Sequence, residues 1–352
     1  MKPIKIKICG HTPDAEGTFG SFFVAHLKKF YTVELSEEPD YVFFYERDDE
    51  HLNYPNAVRI FYTGENVHPD FNMCDYAISF DLLEFGDRHF RLPLYMVATL
   101  YDEIDIKEAG DLTFEHVPPF PLEELKKKTG FCSFVYSNPL ADPKRKELFD
   151  ALSAYKKVDS GGRYLNNTDG PVAHKLLFER EHKFSIAFEN SSREGYVTEK
   201  LPAALAARTI PIYFGDPTVG REFNTCRFIN AHDFADFNAV VARVKAIDEN
   251  DEEYLRIINE PVLAEGFHYR ETLDAFDAFL RNVFDQPLEK AKRRTINAHH
   301  AHLLEKRDRA FFNGQKKSRR LRALLSPLKK ISVLNKMKEY FQGRTIHHQK
   351  HD

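Results

Sequence analysis

Short apolar runs alternate with amphipathic segments through the first eighty residues. Lys5 to Cys9 reads as a strand, and Gly20 to Phe30 places Phe22, Phe23, Leu27 and Phe30 at helical spacing. Tyr31 to Leu35, Tyr41 to Tyr45, Val58 to Tyr62 and Tyr76 to Phe80 read as further strands. This β-α-β rhythm predicts a parallel sheet covered by helices. A polar stretch from Glu103 to Lys128, with Val117-Pro118-Pro119-Phe120-Pro121 inside it, reads as a linker or crossover. The rhythm then restarts. Phe131 to Tyr136 is a strand, and Asp142 to Tyr155 is a helix opened by Asp-Pro. Val158 to Gly162, Phe184 to Phe188 and Thr209 to Phe214 are strands, and Thr198 to Arg208 is a helix. Two such units predict an α/β protein of two Rossmann-like domains facing one another, with ligands at the carboxyl ends of the strands in the cleft. The expected division is 1–125, 126–285 and a tail, 286–352.

The length of 352 residues supports two domains with an appendage. No run approaches the 18 or so apolar residues of a spanning helix. The opening MKPIKIKICG alternates charge with apolar residues, so it is expected to be a strand and not a signal peptide. Cys9, Cys74, Cys132 and Cys226 lie far apart with no C-x-x-C, which disfavours a zinc cluster or disulfide framework and suits a reducing cytosol. A cytoplasmic location is therefore expected.

Charge divides the chain. Residues 286–352 hold 18 Lys and Arg against 5 Asp and Glu, whereas the body is acidic. Such a tail seeks a polyanion: a membrane surface, a nucleic acid or the body itself. Within Arg319 to Phe341, Leu321, Leu324, Leu325, Leu328, Ile331, Leu334, Met337 and Phe341 recur at three- and four-residue steps, with basic residues on the other faces. This predicts an amphipathic helix, bent at Pro327, for an anionic membrane surface on the inner face of the cell membrane. Docking on the acidic body is the equal alternative. Nucleic acid is disfavoured because no reading module accompanies the charge.

The richest chemistry lies in FSIAFENSSREGYVTEKLPAALAARTIPIYFGD, Phe184 to Asp216. An apolar strand ends in Glu189-Asn190. Thr198 is expected to cap the next helix by accepting from a backbone N–H, and Pro202 sits where its missing N–H is harmless. Glu199 and Lys200 then stand at a helix N-terminus beside a strand end, a place that favours anions, with Lys200 suited to phosphate. A lone Glu-Lys pair there is usually solvated, but this one is squeezed between two very apolar strands. In RIFYTGEN, Arg59 to Asn66, Gly64 allows a tight turn that presents the Glu65 carboxylate at a strand end, where it could deprotonate a hydroxyl. Gly161-Gly162 either lets a nucleotide approach the backbone or is an ordinary turn. Arg145 occupies the first turns of a helix after a strand, again a phosphate position. His299, His300, His302, His347, His348 and His351 lack companion Asp or Cys, so no catalytic metal is implied.

FYTGENVHPDFNMCDYAISFD, RLPLY, FEN, GYVTEK, TIPIYFGDPTV and FINAHDF, taken together, resemble the α1,3/4-fucosyltransferases of glycosyltransferase family 10, in their bacterial form. The matching motifs run from about Arg59 to Tyr95 and from about Phe131 to Phe234. The resemblance implies a GT-B fold, with acceptor held by the N-terminal domain and GDP-fucose by the C-terminal one. It implies inverting transfer of L-fucose to the 3-hydroxyl of GlcNAc or Glc in β-galactosides such as N-acetyllactosamine and lactose, giving a Lewis x type product. By position Glu65 corresponds to the general base, with Asn66 beside it on the acceptor side. Arg145 and Lys200 correspond to the pyrophosphate cations. Glu199, Tyr196 and Asn190 line the donor's fucose, ribose and phosphate, and Gly161 and Gly162 are placed with the donor. Stimulation by Mn²⁺, oligomeric state and the preferred acceptor stay open. The alternatives are an α1,4 linkage, another donor sugar, a sugar-nucleotide-binding protein without catalysis, or a tail-driven membrane adaptor.

Overall fold

The apolar runs assemble into two sheets. A computed structural model describes residues 1–10, 18–47, 49–97, 114, 117–295 and 299–325. The first sheet holds β1 (Lys2–Ile8), β2 (Tyr31–Leu35), β3 (Tyr41–Phe44), β4 (Val58–Tyr62), β5 (Tyr76–Ser79) and β6 (His89–Arg91) in the order β2-β1-β3-β4-β5-β6. The second holds β7 (Gly130–Phe134), β8 (Val158–Ser160), β9 (His182–Phe188), β10 (Ile210–Phe214) and β11 (Ile229–Asn230) in the order β11-β10-β9-β7-β8. Neighbouring strands are parallel throughout. A parallel sheet is covered on both faces. Every residue of β3, β4, β5 and β10 is accordingly buried, which is why these strands read as apolar runs, interrupted by Arg59 in β4 and Ser79 in β5.

The helix Thr18–Lys28 lays Phe22, Phe23 and Leu27 on the first sheet, and Phe23 stacks on Phe43 at 5.0 Å between ring centroids. The second sheet is covered by the helices Lys144–Ser153, Phe237–Asp248 and Asp251–Ile258, through Leu148, Leu152, Val240, Val244, Ile247, Tyr254 and Ile257. Asp236 and Asn250 cap the latter two by accepting from the Ala239 and Glu253 amides. Another buried apolar cluster runs from the first sheet into the helix Lys200–Ala206 of the second domain, so the two domains share a seam.

Chain order does not decide where the later segments lie. The helix Tyr269–Asp285, assigned by sequence order to the second domain, packs on the first. Its stripe of Phe276, Phe279, Leu280, Val283 and Phe284 meets the rings of the first domain, with Phe276 at 5.7 Å from Phe22 and Phe284 at 4.2 Å from Tyr41. Tyr31 donates to Asp285 at 2.8 Å.

The start of the basic tail docks on the acidic body. Arg59, inside β4, is almost fully buried, and its Nη1 pairs with Glu305 at 2.8 Å. The buried Asp75 carboxylate accepts from the amides of Arg59, Arg293 and Arg294 and pairs with the Arg294 guanidinium. Lys316 reaches Asp49 at 2.6 Å. Glu305 and Lys316 belong to the helix His299–Leu325, which starts well before the amphipathic segment predicted from Arg319. Leu321 and Leu324 are exposed at its end, and residues 326–352, with most of that segment, lie outside the described residues. Half of the connector Glu103 to Lys128 also lies outside them, and its end forms a short helix, Leu122–Leu125.

Candidate active site

In the second sheet the strand order reverses between β7 and β9, because β8 lies on one side of β7 and β10 on the far side of β9. A crevice opens beyond the carboxyl ends of strands at such a switch point. Tyr136 follows β7 there, Glu189 and Asn190 follow β9, and the first turn of helix Lys144–Ser153 delivers Arg145.

Arg145 is not a surface arginine but is only 2 % exposed. Its Nη2 donates to the Phe188 carbonyl at 3.0 Å and to Asn190 Oδ1 at 2.9 Å. Its guanidinium carbon lies 4.0 Å from the centroid of the Tyr136 ring, a cation–π contact. Nε and Nη1 are buried and bond none of the described residues. A buried guanidinium with two donor nitrogens left over is the donor set that phosphate oxygens would satisfy.

Glu189 ends an otherwise apolar strand and is fully buried. It accepts from the Thr198 amide at 2.8 Å and the Thr198 hydroxyl at 2.6 Å, and it pairs with Lys200 Nζ at 3.1 Å. Thr198 is therefore not the helix cap expected from the sequence. The residue before the helix Lys200–Ala206 is Glu199, which makes no side-chain cap bond. The Thr198 hydroxyl turns inward to Glu189, because leaving that buried carboxylate without donors would cost more than an unmade surface cap.

Lys200 is held by Thr198 Oγ1 at 2.8 Å, Glu189, and Glu199 Oε1 at 3.3 Å, and its side chain is 12 % exposed. Burial works against its charge, but the carboxylates of Glu189 and Glu199 outweigh it and raise its pKa, so Lys200 is cationic. Burial likewise pushes the Glu199 carboxyl up, while Lys200 and Lys175 pull it down further, and the net direction is down. Both side chains stay charged at neutral pH. Lys200 is thus not the solvated cation of an ordinary helix start, whereas the Glu199 side chain keeps 37 % of its surface exposed.

Tyr196 is buried against Phe80 of the first domain, edge to face at 5.0 Å. Burial, then the Glu189 charge, push its hydroxyl upward, and Glu65 and Glu199 add to the negative surroundings. Gly161 and Gly162 lie in the turn after β8. A Cβ on Gly162 would sit 2.0 Å from the Tyr136 carbonyl oxygen, so close backbone packing by itself requires glycine there.

Across the cleft, the turn after β4 is tied by the Thr63 hydroxyl, which accepts from the Glu65 amide at 3.0 Å. The Glu65 side chain is 43 % exposed, and Arg47 Nη2 donates to it at 2.6 Å. Asn66 next to it reaches the other domain, donating to Ser191 Oγ at 2.6 Å. The Glu65 turn and the Asn190–Lys200 loop therefore face each other.

The structure brings together Glu65, Asn66, Arg145, Asn190, Tyr196, Glu199 and Lys200. It adds Glu189 and Tyr136, which sequence reasoning left without a role, and Thr198, which it expected only as a helix cap. The signal for Glu189 was available, since a carboxylate that closes the apolar run FSIAF needs a buried partner. Among the described residues no group of three or more His, Cys, Asp or Glu side chains could hold a metal ion. His347, His348 and His351 lie outside them. No described helix is long and apolar enough to cross a membrane.

Two facing Rossmann-like domains, with a cation-lined crevice at the switch point of the second, constitute the GT-B architecture of sugar-nucleotide glycosyltransferases. The model of the alpha-(1,3)-fucosyltransferase FucT N-terminal domain matches residues 13–98, and that of the glycosyltransferase family 10 (fucosyltransferase) C-terminal domain matches residues 125–259. The chain belongs to glycosyltransferase family 10. It is 35 % identical over 317 residues to the alpha-(1,3)-fucosyltransferase FucT of Helicobacter pylori, an alignment covering 80 % of this chain and 63 % of that protein. The chain thus spans less than two thirds of that relative. A crystal structure of an alpha1,3-fucosyltransferase superposes with a TM-score of 0.68 at 30 % identity, covering 84 % of this chain and 93 % of that one. A crystal structure of an alpha1,3-fucosyltransferase with GDP-fucose gives 0.64 at 31 % identity, covering 80 % and 92 %.

Proposed function

We propose that this chain is an inverting α1,3-fucosyltransferase that moves L-fucose from GDP-fucose to the 3-hydroxyl of GlcNAc or Glc in β-galactoside acceptors. The observation that carries the proposal is the pairing across the cleft. One side has a buried arginine and a nearly buried lysine at the strand ends, and the other has a half-exposed carboxylate. Family membership and the solved relative with GDP-fucose supply the donor. The Helicobacter pylori relative, an alpha-(1,3)-fucosyltransferase, supports the linkage.

In this reading the diphosphate takes on negative charge as the fucosyl bond breaks. Arg145 and Lys200 stabilise that charge from fixed positions, in a site where little water competes. Tyr136 stacks beneath Arg145, and Asn190 and Glu189 keep the two cations in place. Glu199 faces the positive character that develops on the sugar ring, or accepts from fucose hydroxyls. Glu65, on the opposite face, accepts the proton of the acceptor 3-hydroxyl as the new bond forms. A base on the face away from the leaving group gives a single displacement with inversion. Asn66 orients the acceptor beside it. Gly161 and Gly162 border the donor crevice. No metal is assigned a step.

The reading is tested with GDP-fucose, GDP-mannose and UDP-galactose, each offered with lactose, N-acetyllactosamine and a type 1 disaccharide, followed by linkage analysis of the product. Transfer from GDP-fucose alone, with an α1,3 linkage, is expected. An α1,4 product or another donor would replace the proposal with its nearest alternative. No transfer with any pair would leave a binding protein.

A further inference from the structure

We propose that Arg91, at the end of β6 in the first domain, is a positioning residue. It fixes the donor loop of the second domain and thereby the spacing between Glu65 and the diphosphate cations. The inference rests on the transferase reading above.

Its guanidinium spends its fork on three partners from three segments. Nε donates to the Phe80 carbonyl at 3.0 Å, Nη2 donates to the Gly195 carbonyl at 3.2 Å, and Nη1 pairs with Glu222. Phe80 directly follows β5 of the first domain, whereas Gly195 and Glu222 belong to the second. One side chain therefore joins both domains at the residue that opens Gly195-Tyr196-Val197-Thr198-Glu199-Lys200.

The backbone around this contact is shaped for it. Gly195 has φ of +79°. A Cβ there would lie 2.5 Å from the Phe80 carbonyl oxygen, the same atom that Arg91 Nε holds. Only glycine lets the loop come close enough for one guanidinium to bond both carbonyls. The next residue, Tyr196, lies edge-on to Phe80, and two residues further Thr198 grips Glu189.

Glu222 is itself fixed, since its carbonyl accepts from the Ala264 amide at 3.0 Å. Burial opposes the charge of Arg91, but Glu222 outweighs it and raises the pKa, so the fork stays charged. Each bond that Arg91 makes among the described residues goes to protein: Phe80, Gly195 and Glu222. It acts by holding Tyr196 and Lys200 at a set place relative to the first domain, and displacements near 1 Å in such constellations cost on the order of 100-fold in rate.

The test compares wild type with Arg91→Lys, Arg91→Ala and Glu222→Gln in the full chain. Turnover and KM are read with GDP-fucose and N-acetyllactosamine, GDP affinity by calorimetry, and melting temperature alongside. Lysine keeps the charge but cannot bond three diverging acceptors. Arg91→Lys is expected to lower kcat by about 10-fold to 100-fold. GDP affinity should stay within about 3-fold, because the diphosphate cations lie wholly in the second domain. Glu222→Gln should move the same way by less, and Arg91→Ala by more. Wild-type kcat in Arg91→Lys overturns the proposal. So does a loss of GDP affinity matching the loss of kcat, or a fall in melting temperature that accounts for it. If the wild type itself fails to transfer fucose, the transferase reading fails and Arg91 falls with it. Transfer by wild type with an unimpaired lysine variant removes Arg91 alone.

Discussion

The carboxyl ends of the two sheets are built in opposite ways. Beyond the second sheet, Glu189 and Arg145 are buried, Lys200 is nearly so, and each is held by several partners. Glu189 takes three donors, Lys200 three acceptors, and Arg145 a ring, a carbonyl and an amide. Beyond the first sheet, Glu65 stands half in solvent with one exposed arginine against it. A diphosphate that gains charge in the transition state is best met by dipoles and cations already in place, since reorganising them during the reaction costs energy. An incoming alcohol needs room, and its base must be free to exchange partners. The difference in burial thus mirrors the difference in task.

The largest expected effect separates the two ends most cleanly. Glu65→Gln keeps the turn and removes the base, so transfer should fall by about 10²–10⁴-fold. Initial rates with GDP-fucose and N-acetyllactosamine check it, and near-normal turnover would take the base role from Glu65. Next, Lys200→Ala should lower transfer by about 10²–10³-fold, the scale for losing one preorganised charge-stabilising donor. Unlike Glu65→Gln, it should also weaken the binding of GDP.

A third expectation concerns how the first domain is made rigid enough to present Glu65. Deleting residues 293–352 strands Arg59 and Asp75 without their partners Glu305 and Arg294. Breaking a buried pair in this way costs about 3–5 kcal/mol. Deleting only 326–352 keeps both pairs and should leave the melting temperature nearly unchanged. Equal melting temperatures for the two truncations would show that the docked segment is dispensable.

The smallest effect is a pH dependence. Burial, followed by the charges of Arg59, Arg294 and Arg309, pushes the His51 ring down to about 3. Its unfolded value is near 6.5, so the unfolded chain takes up the proton first as pH falls. The contribution of His51 is full above about pH 6.5 and is lost progressively toward about pH 3. His51→Phe, which preserves the stack on Phe44, should flatten the fall in stability between those limits. Chemical denaturation at pH 7 and pH 5 measures it, and parallel losses in both proteins would exclude His51 as the source.

Much of the site was legible because it lies on local signals. An apolar strand, a polar loop and a helix start fall within a few dozen residues at GYVTEK, and the turn at TGEN follows directly on an aromatic strand. Arg145 was found by its place after Asp142-Pro143, although its burial was not visible. What escaped depends on contacts distant in sequence. Glu189, 9 residues from Thr198, draws its hydroxyl away from the cap. Arg91 meets Gly195 and Glu222 across 104 and 131 residues. The helix Tyr269–Asp285 shows its amphipathic stripe in sequence, but nothing local says which sheet receives it. The short edge strands β6 and β11 are only 3 and 2 residues long, too brief for a periodicity to register.

The division of labour between the two ends is tested most directly by titrating GDP into wild type, Glu65→Gln and Lys200→Ala under one set of conditions. Wild type and Glu65→Gln are expected to bind GDP with the same affinity, and Lys200→Ala at least about tenfold more weakly. If Glu65→Gln weakens GDP as much as Lys200→Ala does, the carboxylate and the cations act on the same group, and the assignment of separate tasks to the two sheets is wrong.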